Sequence, residues 1–189
     1  MSGLEIVAFL LGIANVTLVV RRSIWNYPFG LAMVALYGRI FLDARLYSDA
    51  ILQVFFFVVQ LYGWWNWSRN RTRSGVVTVV RLDNRDRALW GIGCIVASAA
   101  WGYAMHRFTD ASFPWADATL AITSVAAQIL MSRRAIENWC LWIAVDIGSV
   151  GLYAAKGLWL TMLLYAIFLG LAIWGLIDWR KAERQQAAA

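Results

Sequence analysis

Seven runs of mostly apolar residues, each about 17 to 22 long, divide this chain, with charges and turn residues gathered between them. A helix of about 20 residues is what crosses the hydrocarbon core of a bilayer. The runs fall at 4–20, 26–42, 47–65, 88–106, 115–132, 138–154 and 158–178. Of the 189 residues 61% are hydrophobic and only 15% charged, where a soluble domain holds about a quarter charged. Most of the chain must therefore face something other than water, and helices satisfy their backbone groups there without help. The alternating segments of roughly ten residues that mark a membrane β-barrel are absent. The expectation is an all-α membrane protein with seven transmembrane helices. The first run lacks a basic region before it and a small-residue cleavage site after it, so it is kept in the mature protein.

The high isoelectric point, about 9.7, raises nucleic acid as a partner, but the positions of the basic residues argue against it. Numbering compartments alternately across seven spans places 13 Lys and Arg on one side and 4 on the other, which together are the 17 present. Positive charge is retained in the cytoplasm, so the N-terminus is expected outside and the C-terminus inside. The linker "NWSRNRTRSGVVTVVRLDNRDR" (66–87) is too short for an RNA-recognition fold,. Its arginines suit anionic lipid headgroups, and "GVVTVVRL" suggests a short extended piece.

Sliding the chain over itself by 112 residues gives a gapless match. "VRRSIWNY" lies over "SRRAIENW", and "YGWWNW" over "WGLIDW". There are 12 identities in the 64 positions of 4–67 against 116–179, where about five are expected by chance. Each copy holds three spans, and the fourth span stands alone between them. An odd number of crossings plus one connector returns the second copy to the first copy's orientation. The repeat is therefore parallel, in a 3+1+3 arrangement, with substrate expected between the copies near the midplane. The boundaries are 1–67 for the first three-helix repeat, 68–112 for a cytoplasmic linker and connecting helix, 113–180 for the second repeat, and 181–189 for a cytoplasmic tail.

Polar residues within the spans follow helical spacing. Asp49, Gln53 and Gln60 share one face of the third span,. Asn138, Trp142, Asp146, Ser149 and Tyr153 share one face of the sixth, and Asp117, Ser124 and Gln128 one face of the fifth. The seventh offers Thr161 and Tyr165. Asp146 lies mid-span, too short to reach either interface, and intramembrane charges usually mark a pathway. Asp49 and Asp117 sit at span starts, where capping is the competing role. Gln60 and Ser149 suit interhelical hydrogen bonds at least as well as a ligand. The repeat aligns Trp142, Asp146 and Ser149 with Gly30, Val34 and Tyr37, so the polar face belongs to one copy only. Such asymmetry suits one asymmetric ligand: small, flat, cationic and hydroxylated.

Trp64, Trp65, Trp67, Trp174 and Trp179 at the ends of spans three and seven read as interfacial anchors. Cys94 and Cys140 read as packing residues, and His106 as a surface or interface side chain. No catalytic grouping, metal-ligand spacing or phosphate-binding loop is present, so the chain is not expected to be an enzyme or to need a cofactor.

"WNYPFG" (25–30), "LYSDAILQVFFFVVQLYGWWNW" (46–67) and "ENWCLWIAVDIGSVGLYAAKGLWLTMLLYAIFLGLAIWGL" (137–176) resemble the PnuC family of bacterial vitamin transporters over nearly the whole chain. The resemblance implies a SWEET-like 3+1+3 fold and uptake of nicotinamide riboside across the inner membrane by facilitated diffusion. It implies trapping by a separate cytoplasmic kinase, with thiamine or another vitamin as the alternative substrate. The matching binding candidates are Gln53, Trp142, Asp146 and Tyr165, followed by Asp49, Gln128 and Asn138. A homo-oligomer is left open; nucleic acid is not expected as a partner, and a receptor or scaffold without transport is the competing class.

Overall fold

Seven helices account for the regular structure among the described residues, which in this computed structural model are 3–43, 47–71, 77–109, 113–155, 157 and 159–188. They are α1 (Gly3–Val20), α2 (Asn26–Asp43), α3 (Tyr47–Arg69), α4 (Asn84–Phe108), α5 (Pro114–Ser132), α6 (Asn138–Ala155) and α7 (Trp159–Ala187). Each apolar run became one helix. The helices α3 and α7 continue beyond their runs, α7 to Ala187, because Glu183, Arg184 and the glutamines that follow favour helix without being apolar,. Among the described residues, α4 and the stretch of α7 from Thr161 are long and apolar enough to span a membrane by length and composition.

The duplication is visible in the backbone. At the offset of 112 residues, α2 and α6 begin and end on matched positions, and α3 and α7 begin on matched positions. The turns before α2 and α6 are also matched. Arg22 and Arg134 both take left-handed backbone, with φ of 54° and 66°, a conformation that costs non-glycine residues about 1 kcal/mol. Two kinds of hydrogen bond hold it. The Ser23 and Ala135 N–H groups donate to the Leu18 and Leu130 carbonyls, each at 2.9 Å, closing the end of the preceding helix as a Schellman turn does. The Asn26 and Asn138 side-chain amides donate to the Ser23 and Ala135 carbonyls at 2.7 and 2.6 Å.

The chain divides into two compact units. The first holds α1–α3, Ser132–Arg134 and the end of α7 from Ile177. There α2 packs against both α1 and α3. Tyr27 of α2 reaches Gly63 of α3, where an added Cβ would lie 2.6 Å from its hydroxyl and 2.9 Å from its ring. Tyr27 also meets the Trp67 ring edge-on at 5.4 Å. Trp67 in turn packs on Trp179 at 5.8 Å, and both tryptophans are fully buried. The Trp179 indole N–H is shared between the Val19 and Val20 carbonyls, 3.2 Å from each. Those are the last carbonyls of α1, which have no partner within the helix. Trp67 and Trp179 are therefore core residues and not the interfacial anchors that their place at span ends suggested. Trp64, Trp65 and Trp174 are exposed.

The second unit holds α4, α5, α6 and α7 as far as Leu176. Gly175 of α7 repeats the Gly63 device: a Cβ there would come 2.5 Å from the Trp139 ring of α6. Gly148 similarly admits Leu120 of α5. The end of the linker is extended, as "GVVTVVRL" suggested over its described part. Val80 bridges Ala135, and the Ile136 N–H donates to the Val80 carbonyl at 2.9 Å. Glu137 fixes the strap that follows, accepting from the Leu82 N–H at 3.2 Å and from Arg87 at 2.9 to 3.0 Å. Cys94 is half-buried and Cys140 exposed, so Cys140 is not the packing residue expected.

Candidate functional site

The polar face of α6 begins with a structural residue. Asn138 is fully buried, and its side-chain amide closes the turn into the helix just as Asn26 does in the first repeat. One turn on, Trp142 is half-buried. One turn further lies Asp146, only 3% exposed. Its carboxyl group makes no hydrogen bond or ion pair with any described residue, so nothing offsets the cost of removing it from water. Ser149 follows, buried, and then Tyr153. The spacing of four, three and four residues keeps these side chains on one side of α6.

The neighbouring helices of this unit carry further polar and aromatic groups. Tyr165 of α7 stacks on Tyr153, with ring centroids 5.3 Å apart and planes 22° from parallel. It also stands perpendicular to the Phe168 ring, with centroids 6.2 Å apart. Gln128 of α5 is buried and makes no hydrogen bond with a described residue. Ser124, one turn earlier on α5, spends its hydroxyl on the Leu120 carbonyl at 2.8 Å. The second unit thus carries an unpaired carboxyl on α6, an unpaired amide on α5 and four aromatic rings on α6 and α7. Chemically, that set can attract a cation, hydrogen-bond hydroxyl or amide groups, and stack a flat ring.

In the first unit, Gln53 of α3 is half-buried, with its Cβ 3.6 Å from where one would sit on Gly38 of α2. Asp49 falls in the first turn of α3, and its side chain lies outside the described residues. Gln60 points inward, against Gly30 and beside Asn15. Asn15 was not singled out in the sequence. It is buried in α1 and donates from its side chain to the Asn26 carbonyl at 2.7 Å. The signal for it was in the repeat, which aligns this lone amide in an apolar run with Ala127. An apolar groove of about 320 Å³ between α4 and α5, lined by Trp90, Cys94 and Ile129 among others, offers no polar chemistry for a solute.

A family model described as nicotinamide mononucleotide transporter matches residues 2–181. The chain belongs to that family. As a member of the nicotinamide mononucleotide transporter family it is a multi-pass membrane transporter and not an enzyme. The nicotinamide riboside transporter PnuC of Escherichia coli is 29% identical over 213 residues, covering 100% of this chain and 89% of the relative. The riboflavin/roseoflavin transporter RibM of Streptomyces davaonensis is 28% identical over 187 residues, covering 97% and 87%. A crystal structure of the vitamin B3 transporter PnuC superposes with a TM-score of 0.78 at 28% identity, covering 96% of this chain and 82% of that one. The seven-helix fold is thus the family's, and relatives of similar identity, 29% and 28%, are named for different vitamins.

Proposed function

We propose that this transporter takes up a flat, positively charged, hydroxylated vitamin, nicotinamide riboside first, across the bacterial inner membrane. The observation that carries the reading is Asp146: a buried carboxyl group without a partner, one helical turn from Trp142. A cationic ring beside it offsets the desolvation that the empty protein endures, and its ribose and carboxamide suit Gln128 as a hydrogen-bonding partner; Gln53 is the candidate that the first unit contributes. Trp142 and Tyr165 supply the faces on which a ring stacks. The vitamin relatives support the substrate class. RibM supports a second reading, riboflavin, and thiamine is a third; riboflavin is uncharged and leaves Asp146 without a counter-ion.

Nothing in the sequence binds ATP or forms an ion relay, which supports facilitated diffusion. Net uptake then requires that a separate cytoplasmic kinase phosphorylate the substrate. The charge distribution supports an outside N-terminus and a cytoplasmic C-terminus.

The test is calorimetric titration of the purified protein with nicotinamide riboside, thiamine and riboflavin in parallel, followed by uptake into proteoliposomes. Selective binding of nicotinamide riboside, lost in Asp146→Val, is expected. A preference for riboflavin that survives Asp146→Val would overturn the reading. Binding without flux would make the chain a receptor.

A further inference from the structure

The register that pairs the two repeats also pairs three positions whose side chains trade volume. In the first unit, Gly30 of α2 gives room to the amides of Gln60 on α3 and Asn15 on α1. A Cβ built on Gly30 would collide with Gln60 Oε1 and lie 2.6 Å from Asn15 Nδ2. The matched residues of the second repeat are Trp142 on α6, Ala172 on α7 and Ala127 on α5. In the repeat's register Trp142 thus stands where Gly30 does, with two alanines in place of the two amides. Ala127 and Ala172 are both buried, at 0% and 2% exposure, so other side chains cover them.

We infer that Ala127 and Ala172 form the seat of the Trp142 indole, and that their size sets how far its ring projects and hence which flat ring it accepts. This rests on the reading of Trp142 as part of the substrate site. An indole with two methyl groups outsizes two amide side chains, so the seat does not swallow it whole. Trp142 is accordingly only half-buried. The part left over is the surface on which a solute ring can stack. Enlarging either alanine pushes the indole outward and narrows the space for solute; shrinking one lets the ring recede and admits a wider ring system. Ala127 and Ala172 touch no solute in this account: they are positioning residues that act through Trp142.

The seat is tested without ligand by a melting cycle of Ala172→Gln, Trp142→Gly and their combination, which restores the first repeat's pairing of glutamine with glycine. Each single change should lower the melting temperature, and the pair should melt well above the sum of the two losses, as contacting residues do. Simple additivity would overturn the seat. Selectivity is tested with Ala172→Gly, which opens space without risk of overpacking. Its affinity for riboflavin relative to nicotinamide riboside should rise about tenfold, the usual effect of roughly one methylene in a pocket. An unchanged ratio would overturn the selectivity role. Wild-type nicotinamide riboside affinity in Asp146→Val would sink the site instead, and the melting cycle would still decide the seat.

Discussion

Replacing Asp146 with valine should make the protein more stable while making it bind worse. Valine is what the first repeat carries at the matched position, where Val34 is 2% exposed, so the scaffold accommodates that side chain on α2. Asp146 is 3% exposed and has no hydrogen-bonding or ionic partner among the described residues. A carboxylate at the centre of a membrane helix costs roughly 2.5 to 3.5 kcal/mol on an insertion scale. Allowing for partial hydration of the site, about 2 kcal/mol of that is recoverable on removing the charge. For a chain of this size each kcal/mol moves the melting temperature by roughly 2–4 °C, so the variant should melt about 4–8 °C higher. That sign is opposite to most buried substitutions. Cationic ligand should raise the wild-type melting temperature, in proportion to the logarithm of its concentration over Kd, and should raise that of the variant much less. The assay is thermal denaturation in detergent, with and without nicotinamide riboside. A variant that melts below wild type in the absence of ligand would refute the reasoning, since it would mean that Asp146 stabilises the empty protein.

Other substitutions probe the site and its frame separately. Gln53→Leu should weaken nicotinamide riboside at least about tenfold in calorimetry and leave the melting temperature near wild type. Trp179→Phe removes the N–H shared by the Val19 and Val20 carbonyls; Val19 keeps the Arg22 N–H at 2.9 Å, so the Val20 carbonyl is the acceptor left unmet, at a cost of about 2 kcal/mol, read as a melting temperature lower by roughly 4–8 °C. Gly175→Ala drives a methyl to 2.5 Å from the buried Trp139 ring. That overpacking should cost about 1–3 kcal/mol in the same assay.

Much of the fold was legible because membrane helices announce themselves by length, and a duplicated chain supplies its own alignment. The starts of α2, α3, α6 and α7 follow from the sequence because turn residues and charges interrupt apolar runs there. The end of α7 does not, since hydropathy cannot distinguish a helix that leaves the membrane from one that stops. Trp67 and Trp179 were misread for a related reason. An aromatic at the end of a span looks the same whether it turns toward lipid or toward another helix, and only the carbonyls of α1 decide it. Asp146 stood out by its depth in its span. That it lacks a partner is a three-dimensional fact, because Asn138, on the same helical face, turned out to be occupied with its own turn. The trade between Gly30, Gln60 and Asn15 and their counterparts needed geometry to show which side chains share a space.

Trp67 and Trp179 are the same residue in the two copies of the repeat, and they touch. In an assembly with twofold symmetry, a position meets its own counterpart only where the symmetry axis passes. Trp67 and Trp179 are such a self-matched pair, within the first compact unit. A change at one of the two positions is felt at the other, so neither can be replaced independently of its counterpart. The contact holds one residue of each copy, so it couples the two copies of the repeat. The candidate binding residues on α6 make no such self-matched pair: Asp146 and Trp142 differ from Val34 and Gly30, while the two tryptophans are alike.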